Sequence, residues 1–359
     1  MNLFNRIILL FLAISIFNCA SKQLPFYIGT YTDGDSEGIY KAKLDISEGK
    51  ISDIKLAMAA TNPSFLALSP NNDFLYSVNQ LDSGYVSSYE IRSNGNLKFI
   101  NSIGSNGSSP CHITVDDKGA LAAVSNYGGG TVSVYNLGKN GNLQKTLQVF
   151  NHNTDEIKSH AHSAQFSGDR LYVSDLGRNN LFEYRWSEEN RKFKLNTDSL
   201  LKFAANSGPR HFVLMDQGKQ IYSISEYANT ITFAQNHMGN FEVIGVYKTL
   251  SPNFNGESYC ADIHFSKDGG YVYGSNRGEN SIAVFKRNKS DGSLELIQNE
   301  DVRGDWPRNF VIDPTGSFLL VANQRSNGIS VFKIDSETGK LSFKNKLDFP
   351  SPVCLLFKR

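Results

Sequence analysis

The segment 208–227, GPRHFVLMDQGKQIYSISEY, contains two short stretches of alternating apolar residues joined by a polar turn. This pattern is typical of two strands, each with one buried face. It recurs in full five more times along the 359-residue chain, and its first strand recurs once more at the C-terminus. The other copies start at residues 62 (NPSFLALSPNNDFLYSVNQ), 109 (SPCHITVDDKGALAAVSNY), 160 (HAHSAQFSGDRLYVSDL), 259 (YCADIHFSKDGGYVYGSNR), 306 (WPRNFVIDPTGSFLLVANQ) and 351 (SPVCLLFKR). The chain is therefore built from repeats, and the fold is decided by how they assemble.

The spacing of the repeats indicates their size. The corresponding first positions are Pro63, Pro110, Ala161, Pro209, Cys260, Pro307 and Pro352. They are 47, 51, 48, 51, 47 and 45 residues apart, which is the length of a four-stranded propeller blade. A third strand such as GTVSVYNL follows each complete pair, and turns such as SNGNLKF and SETGKLSF supply the positive φ of tight hairpins before a fourth strand. The sequence predicts an all-β, seven-bladed β-propeller with four-stranded antiparallel blades.

The two ends of the chain complement each other. The last repeat stops after one strand, whereas the N-terminal segments FYIGTYT, GIYKAKLD and ISDIKLAMA resemble second, third and fourth strands without a first. Pairing of residues 352–358 with the N-terminal strands would complete a seventh blade. We therefore predict a ring closed by the C-terminal strand, which leaves no open sheet edge.

Composition narrows the possible partners. Lys and Arg number 36 and Asp and Glu 35, a formal net charge of +1. This balance lacks the basic excess that binding to a phosphate backbone requires, so nucleic acid is excluded as a partner. Three of the four cysteines, Cys111, Cys260 and Cys354, lie at or next to one position of different repeats. Strands of different blades hold them, so we expect buried free thiols and no disulfide.

The N-terminus is predicted to be an export signal. Residues 1–18 contain Arg6 followed by an apolar run from Ile7 to Phe17, too short to span a bilayer. Cys19 follows in SIFNCASKQ, which resembles the lipobox of bacterial lipoproteins, although Phe17 and Asn18 replace the usual small residues. We expect a signal peptide (1–18), acylation of Cys19, a tether (19–25) and a propeller domain (26–359), anchored to a membrane on the periplasmic or cell-surface side. The alternative is a soluble secreted or periplasmic protein.

Three segments carry a family resemblance: YIGTYT (27–32), GPRHFVL (208–214) and YVYGSNRGENSIAVF (271–285). They resemble the lactonase-family seven-bladed propellers, which include bacterial 6-phosphogluconolactonases and fungal carboxymuconate cycloisomerases. The resemblance extends from Phe26 to Phe357. It implies the same fold, and lactone or cycloisomerase chemistry with no cofactor.

The resemblance also implies a catalytic group of one His, two Arg and one Glu. By repeat position these are His162, Arg210, Arg277 and Glu226. The start of a first strand and the end of the antiparallel second strand lie at the same edge of a blade, so these side chains are expected to meet at one mouth of the central channel. Arg308, His211 and His112 occupy the same or neighbouring repeat positions and are predicted to bind substrate.

Two of these residues have alternative interpretations. We align Glu226 with short polar residues that end the second strands: Asn79, Asn126, Asp175, Asn276 and Asn323. The longer Glu suggests a function, but it is also consistent with a simple surface ion pair with Arg210. His160 and His162 have the spacing of a metal pair, yet no third ligand is evident, so we predict no metal.

The leading hypothesis is hydrolysis of an anionic sugar lactone, as by a 6-phosphogluconolactonase. Glu226 or His162 would activate water, and Arg210 and Arg277 would bind the anion and the developing oxyanion. Cycloisomerisation is an alternative that uses the same acid and base. A non-catalytic ligand-binding or protein-binding propeller at the cell surface is another, because an exported protein would not meet a cytoplasmic sugar phosphate. A convergent, partly buried cluster of these four side chains would favour an enzyme.

Overall fold

The computed structural model describes residues 22–237 and 240–358. The predicted signal peptide and Cys19 lie outside these residues. Within them, the chain forms 28 strands and one short 3-10 turn at Asp216–Gly218. No helix in this part of the chain is long and apolar enough to cross a bilayer.

The strands follow one another with short connections. They are β1 (Gln23–Thr30), β2 (Gly38–Asp45), β3 (Lys50–Ala59), β4 (Pro63–Leu68), β5 (Phe74–Asn79), β6 (Tyr85–Ile91), β7 (Leu97–Gly104), β8 (Pro110–Val115), β9 (Leu121–Asn126), β10 (Thr131–Leu137), β11 (Leu143–Asn151), β12 (Ala161–Ser167), β13 (Arg170–Asp175) and β14 (Asn180–Ser187). The second half comprises β15 (Lys192–Lys202), β16 (Pro209–Met215), β17 (Gln220–Ser225), β18 (Thr230–His237), β19 (Asn240–Lys248), β20 (Tyr259–Phe265), β21 (Tyr271–Arg277), β22 (Ser281–Arg287), β23 (Leu294–Asp301), β24 (Pro307–Ile312), β25 (Phe318–Asn323), β26 (Gly328–Ile334), β27 (Leu341–Asp348) and β28 (Pro352–Phe357).

These strands form seven four-stranded antiparallel sheets, the blades of a propeller, which confirms the predicted fold class. Six blades are consecutive hairpins: β4–β7, β8–β11, β12–β15, β16–β19, β20–β23 and β24–β27. The first strand of each contacts the first strands of its neighbours, so these strands form the inner ring around the channel. The six predicted starts from Pro63 to Pro307 each begin one of these inner strands or fall one residue inside it.

The seventh blade closes the ring as predicted, in the order β28-β1-β2-β3. β28 pairs antiparallel with β1, with Phe357 opposite Phe26 and Cys354 opposite Gly29. Gly29 has to be glycine because a Cβ there would lie 2.4 Å from the carbonyl oxygen of Pro63 in the next blade. The closed ring leaves no inner strand without lateral neighbours.

The hydrophobic core is divided among the seven interfaces between neighbouring blades. One cluster, for example, joins Ile28 and Leu355 of the closing blade to Leu320 and Val331 of the blade before it. Another joins Tyr27 of the closing blade to Leu75 of the blade after it. The other interfaces contain equivalent clusters. Each blade is therefore stabilised by both neighbours, as expected for a closed repeat ring.

Tyrosines on the second strands connect the blades at their outer ends. The hydroxyl groups of Tyr27, Tyr222 and Tyr273 donate to the carbonyl oxygens of Gly95, Gly292 and Gly339, at 3.0, 2.7 and 2.9 Å. Each of these glycines lies in the hairpin between the third and fourth strands of the next blade and has a φ between 68° and 81°. The predicted positive φ in these turns is confirmed at Gly95, Gly292 and Gly339.

The predicted boundary between tether and propeller differs from the structure. β1 begins at Gln23, inside the segment 19–25 that was predicted to be a tether. Gln23 lies opposite Asp45 at the end of β2, and its amide donates to the Asp45 carboxylate at 2.8 Å. Leu24 packs against the core of the closing blade. The extra pairing with β2 holds these residues in the sheet.

Candidate functional site

Every inner strand has a β-bulge near its start, at the mouth of the channel. In all seven blades the pairing with the second strand slips by one residue just after the first position. In three blades the extra residues are His162, Arg210 and Arg308. A bulge redirects the side chain of the extra residue, and bulges are common beside active sites. The repeat therefore places one variable side chain per blade at the same edge of the channel.

The predicted arginines and glutamate meet at this mouth. Glu226 Oε2 lies 2.9 Å from Arg210 Nε and 2.9 Å from Arg277 Nη2. The two arginine side chains are 3% and 6% exposed and that of Glu226 is 15% exposed. This is not the surface ion pair that was considered as an alternative for Glu226. One carboxylate oxygen bridges two buried guanidinium groups, and Oε1 has no hydrogen bond within the described part of the chain.

The alignment of Glu226 with the short polar residues was wrong by one position. Pro209 pairs with Ser225, just as Pro110 pairs with Asn126 and Pro307 with Asn323, so Ser225 is the true counterpart. Glu226 follows the strand, and its amide donates to the carbonyl oxygen of Gly208 at 2.7 Å. The same position in other blades is held by Gln80, Tyr127, Leu176, Arg277 and Gln324. Glu226 and Arg277 are thus equivalent residues of neighbouring blades, which explains why they face each other.

Backbone carbonyl groups fix both arginines. Arg210 Nη1 donates to the carbonyl oxygen of Ala261, and Arg277 donates to those of Tyr259 (3.1 Å) and Cys260 (2.9 Å). Burial, followed by the charge of Arg277, lowers the pKa of Arg210 to about 10, and burial also lowers the pKa of Arg277. Both stay protonated at neutral pH. Arg210 Nη2 and Arg277 Nη1 make no hydrogen bond to the described residues and are free to bind a ligand oxygen.

His162 lies beside Arg210 in the bulge layer and is 4% exposed. Burial, with the charge of Arg210 next, lowers its pKa well below the usual value. The imidazole is therefore neutral at pH 7. Nδ1 is buried without a hydrogen-bond partner in the described residues, whereas Nε2 is not enclosed in this way. A neutral imidazole with one accessible nitrogen is suited to accept a proton.

Arg308 has the same bulge position one blade before the ring closure. Its guanidinium lies over the ring of Tyr31, 5.4 Å from the centroid. Among the described residues it has no ion-pair partner, and it is only partly buried. Its charge contributes to the lowered pKa values of Arg210, Arg277 and His162, so it lies in the same electrostatic environment. Arg308 is thus an unpaired cation at the bulge layer of the mouth.

The predicted substrate-binding histidines lie one layer below the mouth. The His112 ring contacts that of Phe65, with centroids 4.4 Å apart and planes tilted by 35°, and its Nδ1 accepts the amide of Ala164 in the next blade at 3.4 Å. His211 contacts the carboxylate of Asp262 at 2.6 Å. Burial lowers the pKa of His112 well below its usual value and that of His211 to about 4. Both imidazoles are neutral at pH 7 and belong to the channel interior.

Sequence reasoning missed the aromatic wall of the mouth. A cleft of about 510 Å³ beside Glu226 is lined by Glu257, Tyr259, Trp306 and Arg325. Arg325 lies 3.3 Å and Arg277 5.2 Å from the centroid of the Trp306 ring. This volume is within the range of small-molecule sites. Trp306 directly precedes the blade start at Pro307 and adopts φ 65°, a rare conformation for a non-glycine residue.

Tyr127 was also missed. It occupies the position of Glu226 two blades earlier and contacts His162, with ring centroids 5.9 Å apart. Burial, with Tyr227 and Glu226 beside it, raises its pKa. The ring of Tyr227 covers Gly208, where φ is 67° and a Cβ would come within 2.6 Å of that ring. Gly208, which opens the segment GPRHF, therefore has to be glycine for the tyrosine to cover this side of the mouth.

The other candidate sites have structural explanations. His160 stacks on Tyr127 at 4.5 Å, and its Nδ1 contacts the Tyr127 carbonyl oxygen at 3.0 Å. Within residues 22–237 and 240–358, no group of three or more His, Cys, Asp or Glu side chains is arranged to hold a metal ion. Cys111, Cys260 and Cys354 are buried free thiols, as predicted, and burial raises their pKa to about 12.

Comparison with known proteins adds independent findings. Residues 25–357 match the family described as lactonase, 7-bladed beta-propeller. A 6-phosphogluconolactonase from Bacillus subtilis is 35% identical over 343 residues, covering 92% of this chain and 97% of that protein. A 6-phosphogluconolactonase from Formosa agariphila is 38% identical over 332 residues, covering 88% and 94%. The solved structure of a periplasmic gluconolactonase from Pseudomonas aeruginosa superimposes with a TM-score of 0.89 at 26% identity, covering 94% of this chain and 99% of that protein.

Proposed function

The chain belongs to the lactonase family of seven-bladed β-propellers, and we propose that it hydrolyses a sugar lactone at the mouth of its central channel. One observation carries the proposal. Glu226, ion-paired with two buried arginines, lies in the same mouth as the buried, neutral His162. The four predicted side chains converge and are largely buried, which favours an enzyme over a scaffold. The names of the two curated relatives support the same reaction.

The two arginines would act on the lactone carbonyl group. The free Nη groups of Arg210 and Arg277 would donate to the lactone carbonyl oxygen, which becomes negative as water attacks. Fixed donors in a buried site stabilise such an oxyanion strongly, because they need no reorganisation. Their backbone hydrogen bonds and Glu226 hold them in place before substrate arrives.

His162 and Glu226 suit the proton transfers. The accessible Nε2 of His162 takes a proton from water as the oxygen forms a bond to the carbonyl carbon. The resulting imidazolium returns the proton to the ring oxygen when the ring C–O bond breaks, giving a hydroxy acid. The free Oε1 of Glu226 would accept the other hydrogen of the attacking water and orient it. Lactones are reactive, so these modest effects suffice.

We assign the substrate to anionic sugar lactones because of Arg308. A guanidinium binds phosphate or carboxylate with two hydrogen bonds, and Arg308 is a mouth arginine at a bulge position without an ion-pair partner among the described residues. Trp306, at the neighbouring cleft, offers an apolar face to a sugar ring. The acidic group would then lie near Arg308 and the lactone carbonyl near Arg210 and Arg277.

Hydrolysis is tested by pH-stat titration of the mature chain with phosphorylated, carboxylated and neutral sugar lactones. We expect turnover above background, and a loss of 10²- to 10⁴-fold in kcat for Glu226→Gln and His162→Gln. Glu279→Gln is the matched control: Glu279 follows the equivalent strand of the next blade but bonds to Ser281 and Ser251, away from the mouth. Absence of turnover on every lactone by a folded protein would refute the proposal. Turnover of an unsaturated dicarboxylate instead would assign the site to cycloisomerisation.

The substrate class is tested separately with Arg308→Gln. We expect this variant to raise KM for an acidic lactone at least tenfold and to leave KM for a neutral lactone within twofold. Arg303→Gln, which removes an exposed arginine paired with Glu300 and Asp301, should change neither value. Equal KM changes for acidic and neutral lactones would contradict anion binding by Arg308.

We further propose that the enzyme is exported and anchored through Cys19. The support is the N-terminal sequence and the periplasmic location named for the Pseudomonas relative. Radiolabelled palmitate should label the wild type in a bacterial host, and Cys19→Ser should abolish the label and release the protein from the membrane fraction. A protein that fractionates with membranes equally well with and without Cys19 would contradict the anchor.

A further inference from the structure

The channel directly beneath the mouth contains polar groups that the mechanism has not used. The ring centroid of His211 lies 5.1 Å from that of His162 and 5.6 Å from that of His112. Behind His211, in the next blade, lies the carboxylate of Asp262, with Oδ1 2.6 Å from His211 Nδ1. Asp262 is 3% exposed and His211 7% exposed. A buried carboxylate, one imidazole and the catalytic imidazole thus follow one another down the channel.

Asp262 is well prepared to carry a negative charge. Its Oδ2 accepts hydrogen bonds from the Asn309 amide at 2.6 Å and from the backbone amide of Phe310 at 3.3 Å, and it lies 3.1 Å from His264 Nε2. Burial alone would raise the pKa of Asp262, but His264 and His211 outweigh it and hold the pKa well below its usual value. Because Asp262 is charged, neutral His211 must present Nδ1–H to it and keep the lone pair on Nε2.

The next polar groups in this row are one ring nitrogen of His211 and one of His162. His211 Nε2 and His162 Nδ1 are both buried, and neither has a hydrogen-bond partner in the described chain. Buried polar atoms of native proteins are nearly always paired, and the two ring centroids are 5.1 Å apart, close enough for a small rotation of the rings to form one direct hydrogen bond between these nitrogens. With its lone pair on Nε2, His211 has to accept a hydrogen bond at that nitrogen. His162 would then carry its hydrogen on Nδ1 and keep the accessible Nε2 as the acceptor.

We propose that Asp262 and His211 are positioning residues that fix His162 as the tautomer able to accept a proton at the mouth. This inference rests on the proposed lactone hydrolysis. The charges of Arg210 and Arg308 disfavour a positive charge on His162. The negative charge of Asp262 offsets part of this effect when His162 becomes an imidazolium, as the carboxylate does in a Ser-His-Asp triad.

Asp262→Asn makes a specific prediction. Asn309 and Phe310 donate to the Oδ2 position, which His264 Nε2 also contacts. The Oδ1 position receives only the backbone amide of Ile263 besides His211, so the new amide oxygen will lie at Oδ2 and the NH₂ group will face His211. His211 would then accept at Nδ1, donate at Nε2, and force the hydrogen of His162 onto Nε2. We expect kcat to fall at least tenfold with KM within twofold of the wild type. In ¹⁵N NMR spectra of the mature protein at pH 7, the His162 signals should change from the Nδ1–H to the Nε2–H tautomer.

Asp175→Asn is the matched control. Asp175 is equally buried and contacts His152 Nδ1 at 3.0 Å. Its other partners are the hydroxyl of Ser159 and the backbone amides of His160 and Arg178, and none of its hydrogen bonds is made with the imidazole of His162 or His211. This variant should lose stability while keeping the wild-type kcat and His162 tautomer. If Asp262→Asn does not fold, His211→Gln, which keeps a side-chain amide next to Asp262, is measured in the same way.

The outcomes separate the two proposals. Unchanged His162 signals and unchanged kcat in the folded Asp262 variant would overturn the positioning role and leave lactone hydrolysis standing. A changed tautomer in a protein without lactonase activity would support the positioning role and refute the proposed reaction. An equal fall of kcat in the Asp175 variant would also overturn the inference, because the effect would then be general destabilisation.

Discussion

Neutral, buried histidines should make the stability of this protein depend on pH in the acidic range. His112, His162 and His211 have lowered pKa values because burial disfavours their charged form. In the unfolded chain they regain a pKa near 6.5, so below that pH the unfolded state binds protons that the folded state excludes. The free energy of unfolding should therefore decrease as the pH falls from about 6.5 towards 4.

This prediction is checked by urea unfolding between pH 7 and pH 4.5. Each such histidine contributes a slope of up to about 1.4 kcal/mol per pH unit. His112→Gln should reduce the slope, because it removes one of the groups that protonate only on unfolding. His237, with a side chain that is 61% exposed, supplies the control: His237→Gln should keep the wild-type slope. An unchanged slope in the His112 variant would show that His112 is charged in the folded protein.

Single residues of the site were predictable from the sequence only in part. The family resemblance implies His162, Arg210 and Arg277, and the bulge and the strand end that recur in every blade explain why these side chains meet at one mouth. Glu226 was identified, but its position was assigned one residue too early because Ser225 was not recognised as the strand-ending residue. Asp262 and Trp306 were not found. Their importance lies in contacts across blades, to His211 and Arg277, which no spacing within one repeat reveals.

At the scale of the element, the turn between the first and second strands is built by one side chain. In the blade starting at Pro307, the buried carboxylate of Asp313 accepts the amides of Thr315, Ser317 and Phe318, at 2.8, 2.8 and 2.6 Å. Asp116 has the same role in its blade, while Ser69 and Ser266 accept the corresponding amides elsewhere. The turn is thus specified by an Asx or Ser acceptor at its first position.

Asp313→Ala should lower the free energy of unfolding by about 2 kcal/mol or more, because buried amides lose a charged acceptor. Urea unfolding with a constant m-value measures the change. Asp335→Ala is the control, since Asp335 accepts two amides in an exposed turn and water can replace it. Equal losses in the two variants would mean that burial of the turn contributes nothing.

The strands, their turns and the blade length were the features of this protein that the sequence predicted best. The sequence repeats the strand starts, the hairpin turns and the blade length. A strand that is ambiguous by itself can therefore be assigned by comparison with the other repeats. The structure differs from the prediction where residues distant in the sequence determine it. β1 extends to Gln23 because β2 continues opposite it, and the tyrosine contacts to hairpin glycines depend on the neighbouring blade.

At the scale of the whole molecule, one strand from the C-terminus completes a sheet of three strands from the N-terminus. β28 supplies Leu355 and Phe357 to one interface core and Cys354 to the next. Removing it would open both interfaces and expose the edge of β1. A closed ring distributes its core over seven interfaces, so opening two of them weakens every blade in turn.

Deleting residues 352–359 should therefore prevent stable folding and cause aggregation, as measured by circular dichroism and size-exclusion chromatography. The two ends are adjacent, since the amide of Lys358 donates to the carbonyl oxygen of Pro25 at 3.4 Å. A circular permutant that joins residue 358 to residue 22 through a short linker, with new ends at residues 350 and 351, keeps every strand and all seven interfaces. It should fold with nearly the stability of the wild type. A stable monomer from the deletion, or an unfolded permutant, would show that the ring does not depend on β28 in this way.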